Sequence, residues 1–121
     1  MTMQLDLAGA VHASDDARLR IAIATAGSAT ALADLLEVHR SQPGRWLKRE
    51  STPTPSARRI VDDLALVATK YVSTWPAETI RDWLAGDNAY LGGATPKDML
   101  RSGRVSEVLA ALEGELAGVY A

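Results

Sequence analysis

The stretch that most constrains this 121-residue chain runs from Trp83 to Leu100. Within it a helix must stop, the backbone must turn on two glycines, and a new helix must start. A short amphipathic helix, with Ile80, Trp83 and Leu84 facing inward, ends near Ala85, where Gly86, Asp87 and Asn88 supply the turn chemistry. Tyr90 and Leu91 are apolar residues in a loop and are expected to fold back onto a core, and Gly92-Gly93 then permits a tight turn. Thr95 as N-cap, Pro96 at the first helical position and Asp98 at the third form the start signal of the next helix. A last helix opens around residues 102–104 and carries Val105, Val108, Leu109, Leu112 and Leu116 at helical spacing. The sequence ends on Val119, Tyr120 and Ala121, an apolar and aromatic ending that is expected to be docked on something.

Trp83, Asn88, Leu91, Gly92, Pro96, Asp98, Leu100, Gly103 and the apolar helix running to Tyr120, taken as an ordered set, resemble the C-terminal, toxin-binding domain of the Xre/MbcA/ParS antitoxin family. The match covers residues 77–121. The resemblance implies an antitoxin paired with a RES-type toxin that degrades NAD. It also implies a mechanism, in which the C-terminal region covers the toxin's active site and keeps NAD out. By that resemblance Gly118, Val119, Tyr120 and the Ala121 carboxylate are the plug, with Trp83, Asn88 and Leu91 as further toxin-binding residues. Read without it, Trp83 fits a core position, Asn88 a local turn stabiliser, and the last residues a fraying tail.

Composition narrows the classes. The absence of Cys removes disulfides, thiolate catalysis and cysteine-based zinc sites together. Phe is absent too, so the core must be aliphatic, built on Leu, Val, Ile and Ala. No basic-then-apolar leader and no run of about 18 apolar residues is present, so a cytoplasmic protein without a membrane span is expected. The two histidines, His12 and His39, have no carboxylate at metal-ligand spacing, and no nucleophile elbow or triad signature occurs. Gly92-Gly93 before Thr95 lacks the Gly-Lys-Ser/Thr that a phosphate cradle needs. The expectation is a non-enzyme with no catalytic residues, metal or cofactor.

Charge is segregated along the chain. Residues 39–59 hold Arg40, Arg45, Lys48, Arg49, Arg58 and Arg59 against the single acid Glu50. Both flanks are acidic, with two basic and five acidic residues over 1–38 and four against seven over 76–121. A basic block between acidic flanks points to one face for an anionic partner.

Residues 1–12 show little period and read as an arm or frayed strand. Ser14-Asp15-Asp16 reads as a helix start, with Leu19, Ile21 or Ala22, Ile23 and Ala26 as its face before Gly27. Residues 30–49 then give two short helices, the first capped by Ser28 or Thr30. The second, Gln42 to Lys48, is capped by Ser41 with Pro43 in its first turn. Ala33 is the small residue that their close crossing needs. This is a helix-turn-helix arrangement and resembles the Xre type, in which Trp46 is the core anchor. Two departures stand out. Glu37 occupies the turn position that is often Gly and must turn left-handed or shift the turn, and Pro43 replaces an apolar β-branched residue. After a Pro/Thr-rich connector to Pro55, Ser56 is read as the cap of a long helix from Ala57 to about Ser73, with Ile60, Leu64, Val67, Ala68 and Tyr71 buried.

The expected architecture is all-α, about seven short helices in two small lobes: an Xre-like lobe over 1–55, a connecting helix over 56–75 and a toxin-binding lobe over 76–121. Candidate DNA contacts are Arg40, Ser41, Gln42, Arg45, Lys48 and Arg49 on the second helix, joined by Arg58 and Arg59, whose placement at a helix start opposes the dipole and suits phosphate. The expected partners are a RES-type toxin and operator DNA, with a homodimer inside a hetero-oligomeric complex. The alternative is a free-standing dimeric helix-turn-helix transcription regulator; a third reading is an adaptor whose basic face binds an acidic protein.

Overall fold

The computed structural model describes residues 7–118, and side chains from residue 14 onward. The readings placed on residues 1–6 and on Val119, Tyr120 and Ala121 lie outside the described residues. Seven α-helices follow one another: α1 Leu7–Ala26, α2 Ala29–Leu36, α3 Gln42–Leu47, α4 Pro55–Tyr71, α5 Ala77–Ala85, α6 Pro96–Arg101 and α7 Val105–Leu116, with one 3-10 turn, Ala89–Leu91, between α5 and α6. No strand occurs among the described residues, so the all-α expectation holds.

The first helix begins earlier than expected. Ser14-Asp15-Asp16 lies inside α1, because nothing between residues 7 and 14 breaks a helix, and these polar groups serve tertiary contacts instead. Asp15 pairs with Arg18 and Arg58, Asp16 pairs with Arg49, and the Ser14 hydroxyl accepts from Arg18. Its buried face is Leu19, Ala22 and Thr25, whereas Ile21 points to solvent. Gly27 ends the helix at φ +116°, and a Cβ there would meet the Arg81 side chain at 2.7 Å.

Helix α2 is capped by Ser28, whose Oγ accepts from Ala31 N–H at 3.0 Å. It ends at Glu37, which takes the left-handed conformation (φ 59°, ψ 44°). Val38 N–H then reaches back to the Ala33 carbonyl at 3.0 Å, the six-to-one bond of a Schellman ending. Helix α3 closes the same way on left-handed Arg49, with Glu50 N–H on the Arg45 carbonyl at 2.9 Å. Two side-chain-bearing residues therefore stand where glycine is the comfortable choice. Ser41 precedes α3 but makes no capping bond; its hydroxyl and N–H both engage His39 Nδ1.

Helix α4 is the central element, packed against α1, α6 and α7. Its cap is Thr54, not Ser56: Ala57 N–H donates to Thr54 Oγ1 at 3.1 Å, with Pro55 at the first helical position. The proline forces the residue before it to extended geometry, which is the geometry of an N-cap. Its buried stripe (Ala57, Ile60, Val61, Leu64, Ala65, Val67, Ala68, Tyr71) is wider than the periodicity alone marks, because helices cover it on two sides. Tyr71 Oη and Thr25 Oγ1 satisfy each other at 3.2 Å inside the core.

Thr95 caps α6 as expected, accepting from Asp98 N–H at 3.0 Å. Helix α7 starts at Val105 and buries Val108, Ala111 and Leu112. One hydrophobic cluster runs through all seven helices, from Leu19 and Leu32 through Trp46, Leu64 and Ile80 to Leu100 and Leu112. The divisions at 55 and 75 are breaks between helices, and the core crosses both.

Candidate functional site

Two surfaces carry the sequence candidates. On the first, α2 and α3 cross in contact and Trp46 and Pro43 are buried beneath them. The basic residues of this block are largely committed within the molecule. Arg49 Nη2 lies 3.1 Å from Asp16 Oδ2 and Arg58 Nη1 lies 3.3 Å from Asp15 Oδ1. Arg45 faces Glu50 at 3.8 Å, and Gln42 Oε1 accepts from Ser51 Oγ at 2.8 Å. Ser41 is held by His39. Of the six basic candidates, Arg40 and Lys48 form no ion pair with a described residue.

Arg59 has a different task. Its guanidinium donates to the Leu100 and Arg101 carbonyls, each at 3.3 Å, and pairs with Asp63 at 3.4 Å. It thus sits at the C-terminal end of α6, where the dipole favours a cation. Burial pushes the Asp63 carboxyl above its ordinary value of 3.8, against the opposing pull of Arg59. Arg101 repeats the device one helix on. Its Nε donates to the Leu35 carbonyl at 2.9 Å and Nη2 to the Asp34 carbonyl at 3.2 Å, so α6 holds the end of α2. The basic residues at the start of α4 are therefore offset by Asp15 and by the carbonyl end of a neighbouring helix, a solution that local dipole reasoning does not reach.

The second surface surrounds Trp83. Trp75 and Trp83 pack at a centroid separation of 6.3 Å with planes inclined by 59°. Thr79, Asp82, Trp83 and Gly86 lie at helical spacing on one face of α5 and its exit. Asn88 shapes the next turn: its Oδ1 accepts from Tyr90 N–H at 3.0 Å and its own carbonyl accepts from Gly93 N–H at 2.8 Å. Gly92 and Gly93, both at positive φ, let that loop close. Leu91 is thereby turned onto the core, while Tyr90 stays 48% exposed. Between these walls and α7 lies an open groove of about 460 Å³, bordered by Trp75, Trp83, Asn88 and Tyr90, by the carboxylates of Asp82, Asp87 and Glu115, and by Ala111.

The structure therefore brings Trp83 and Asn88 together on one groove, whereas Leu91 packs on the core and does not border it. Gly118 follows α7 at φ 76°, three residues beyond Glu115. Sequence reasoning missed Trp75, Asp82, Asp87 and Glu115. Asp82 shares the Trp83 helix face, a signal the spacing did contain; Trp75 precedes α5 and meets Trp83 by ring packing, and Glu115 arrives from a helix about 30 residues away. The Trp83 Nε1–H is buried and has no acceptor among the described residues.

No group of three or more His, Cys, Asp or Glu gathers into a metal-binding cluster among the described residues. Fold and site define an all-α protein with a single core and an aromatic, acid-lined groove on the surface. No protein-family model matches the chain. It is similar to the mycobacterial cidal antitoxin MbcA of Mycobacterium tuberculosis and of Mycobacterium bovis, 24% identical over 87 residues that cover 72% of this chain and 77% of each relative. Its fold is that of a chain in the crystal structure of the M. tuberculosis MbcT-MbcA toxin-antitoxin complex, with a TM-score of 0.72, 22% identity, and coverage of 88% of this chain and 96% of the other.

Proposed function

We propose that this protein is an antitoxin that binds a RES-type, NAD-degrading toxin and covers its active site. The observation that carries the reading is the similarity to MbcA over 87 residues together with the shared fold across 88% of the chain. The ordered residues Trp83, Asn88, Leu91, Pro96, Asp98 and Leu100, with their capped helix and two-glycine turn, support it further. Inhibition is by occlusion, with no bond made or broken by the antitoxin. The plug assigned to Gly118, Val119, Tyr120 and Ala121 rests on the family resemblance. In solution the reading places the protein in the cytoplasm, as a homodimer within a hetero-oligomeric complex. Co-expression with a RES-type toxin tests it: the two chains should co-elute, and toxin-driven NAD loss should stop. Loss of NAD unchanged by this chain would refute it.

Operator binding is the second part of the proposal. It is supported by the α2–α3 pair and by Arg40 and Lys48, both exposed and without an ion-pair partner among the described residues. With the other cations occupied, the salt dependence should be shallow for a DNA-binding domain. Two phosphate contacts give a log–log slope of about −2 per chain, and a slope of about −5 would mean that the internal ion pairs open on DNA. No binding at any salt concentration would remove this part.

A further inference from the structure

The groove beside Trp83 has walls of one chemistry and edges of another. Trp75, Trp83 and Tyr90 supply aromatic surface, Asp82, Asp87 and Glu115 supply carboxylates, and no basic residue borders it. Elsewhere on the molecule Asp15, Asp16, Asp62, Asp63 and Asp98 each have an arginine partner. Asp82, Asp87 and Glu115 have no ion-pair partner among the described residues.

We infer that this groove is the docking site for an arginine-bearing segment of the partner protein, the guanidinium entering between the indoles and the three carboxylates. This rests on the proposed antitoxin reading for the partner's identity, and on charge complementarity for its chemistry. A guanidinium stacks on an indole face and at the same time forks to carboxylates, which a lysine ammonium cannot do in one geometry. A nucleic acid is the wrong occupant, since its phosphates would meet three carboxylates.

Two measurements test the inference. In the first, the toxin complex is formed with wild type and with the Asp82→Asn/Asp87→Asn/Glu115→Gln variant, and affinity is read at two salt concentrations. These side chains border an open groove, so helicity and melting temperature should be retained. Affinity should fall by about tenfold or more, with a weaker salt dependence. In the second, the indole N–H resonances of Trp75 and Trp83 are followed while the free protein is titrated with acetyl-Gly-Arg-Gly-amide, or with the same peptide carrying citrulline or lysine. The arginine peptide alone should shift Trp83, with affinity on the order of millimolar. A toxin complex of undiminished affinity, with no arginine-selective shift, overturns the groove and leaves the antitoxin reading standing. An arginine-selective shift without any toxin complex does the reverse. A wild-type dimer that the triple variant converts to monomer would assign the groove to a second copy of this chain and overturn the partner inference.

Discussion

Replacing Arg101 with Met keeps the aliphatic stem and removes the guanidinium that joins α6 to the end of α2. Three interactions go with it: Nε on the Leu35 carbonyl at 2.9 Å, Nη2 on the Asp34 carbonyl at 3.2 Å, and Nη1 on Asp98 Oδ1 at 2.9 Å. The Asp98 pair is solvent-exposed and is worth a few tenths of a kcal/mol, about 0.5 at most. Each carbonyl bond contributes about 0.5–1.5 kcal/mol net, at the lower half of that range here because the side chain is partly open to water. The sum is about 2 kcal/mol. For a chain of this length the entropy of unfolding is roughly 0.25 kcal/mol/K, so the melting temperature should drop by about 8 °C. Thermal unfolding followed by circular dichroism at 222 nm reads this directly, and Arg101→Lys should recover only part of the loss because an ammonium cannot span both carbonyls. Because one core joins all helices, the melt should remain a single transition in wild type and variant. A drop below about 2 °C, or two separable transitions in wild type, would refute the reasoning.

Three further outcomes follow from local geometry. Thr54→Ala should cost about 1 kcal/mol in urea denaturation while Ser56→Ala costs next to nothing, since only Thr54 Oγ1 accepts from the helix; equal effects would restore Ser56 as the cap. Glu37→Gly should stabilise by up to about 1 kcal/mol, because Glu37 is held at φ 59° and glycine meets no Cβ penalty there; a destabilised variant would show that the carboxylate has a role the geometry does not contain. Asp63 has a raised folded-state pKa, so its contribution to stability is fully present below 3.8 and is lost as pH rises through the higher folded value. Asp63→Asn should therefore gain on wild type between pH 3 and pH 7 in denaturation midpoints, and the opposite trend would mean that the Arg59 pairing outweighs burial.

What the sequence discloses and what it hides divide along a physical line. Thr95, Pro96 and Asp98 mark α6 because capping is local, and Ile60, Leu64 and Tyr71 mark α4 because periodicity is local. Thr54 was legible too, through Pro55 at the first helical position, but the serine one residue further on offered the same chemistry. The ion-pair pattern was not legible. The acidic start of α1 and the basic block after α3 look like separate charge features. In the fold Asp15 and Asp16 meet Arg58 and Arg49, so the segregation along the chain is complementarity between segments that pack side by side. Arg59 and Arg101 show the same limit, since the carbonyls they hold belong to helices about 40 and 66 residues away. The groove lies between the two cases. Its α5 face is a local pattern, whereas its α7 edge exists only once α4 has brought the last helix against the turn at residues 89–91.

The measurement that bears most directly on the proposed function is NAD consumption by a RES-type toxin, purified alone and with this chain at equal concentration. The toxin alone should consume NAD, the two proteins should co-elute as a stable complex on mixing, and consumption should stop in that complex. NAD loss proceeding at the same rate in the presence of this chain, with the two proteins eluting separately, would contradict it.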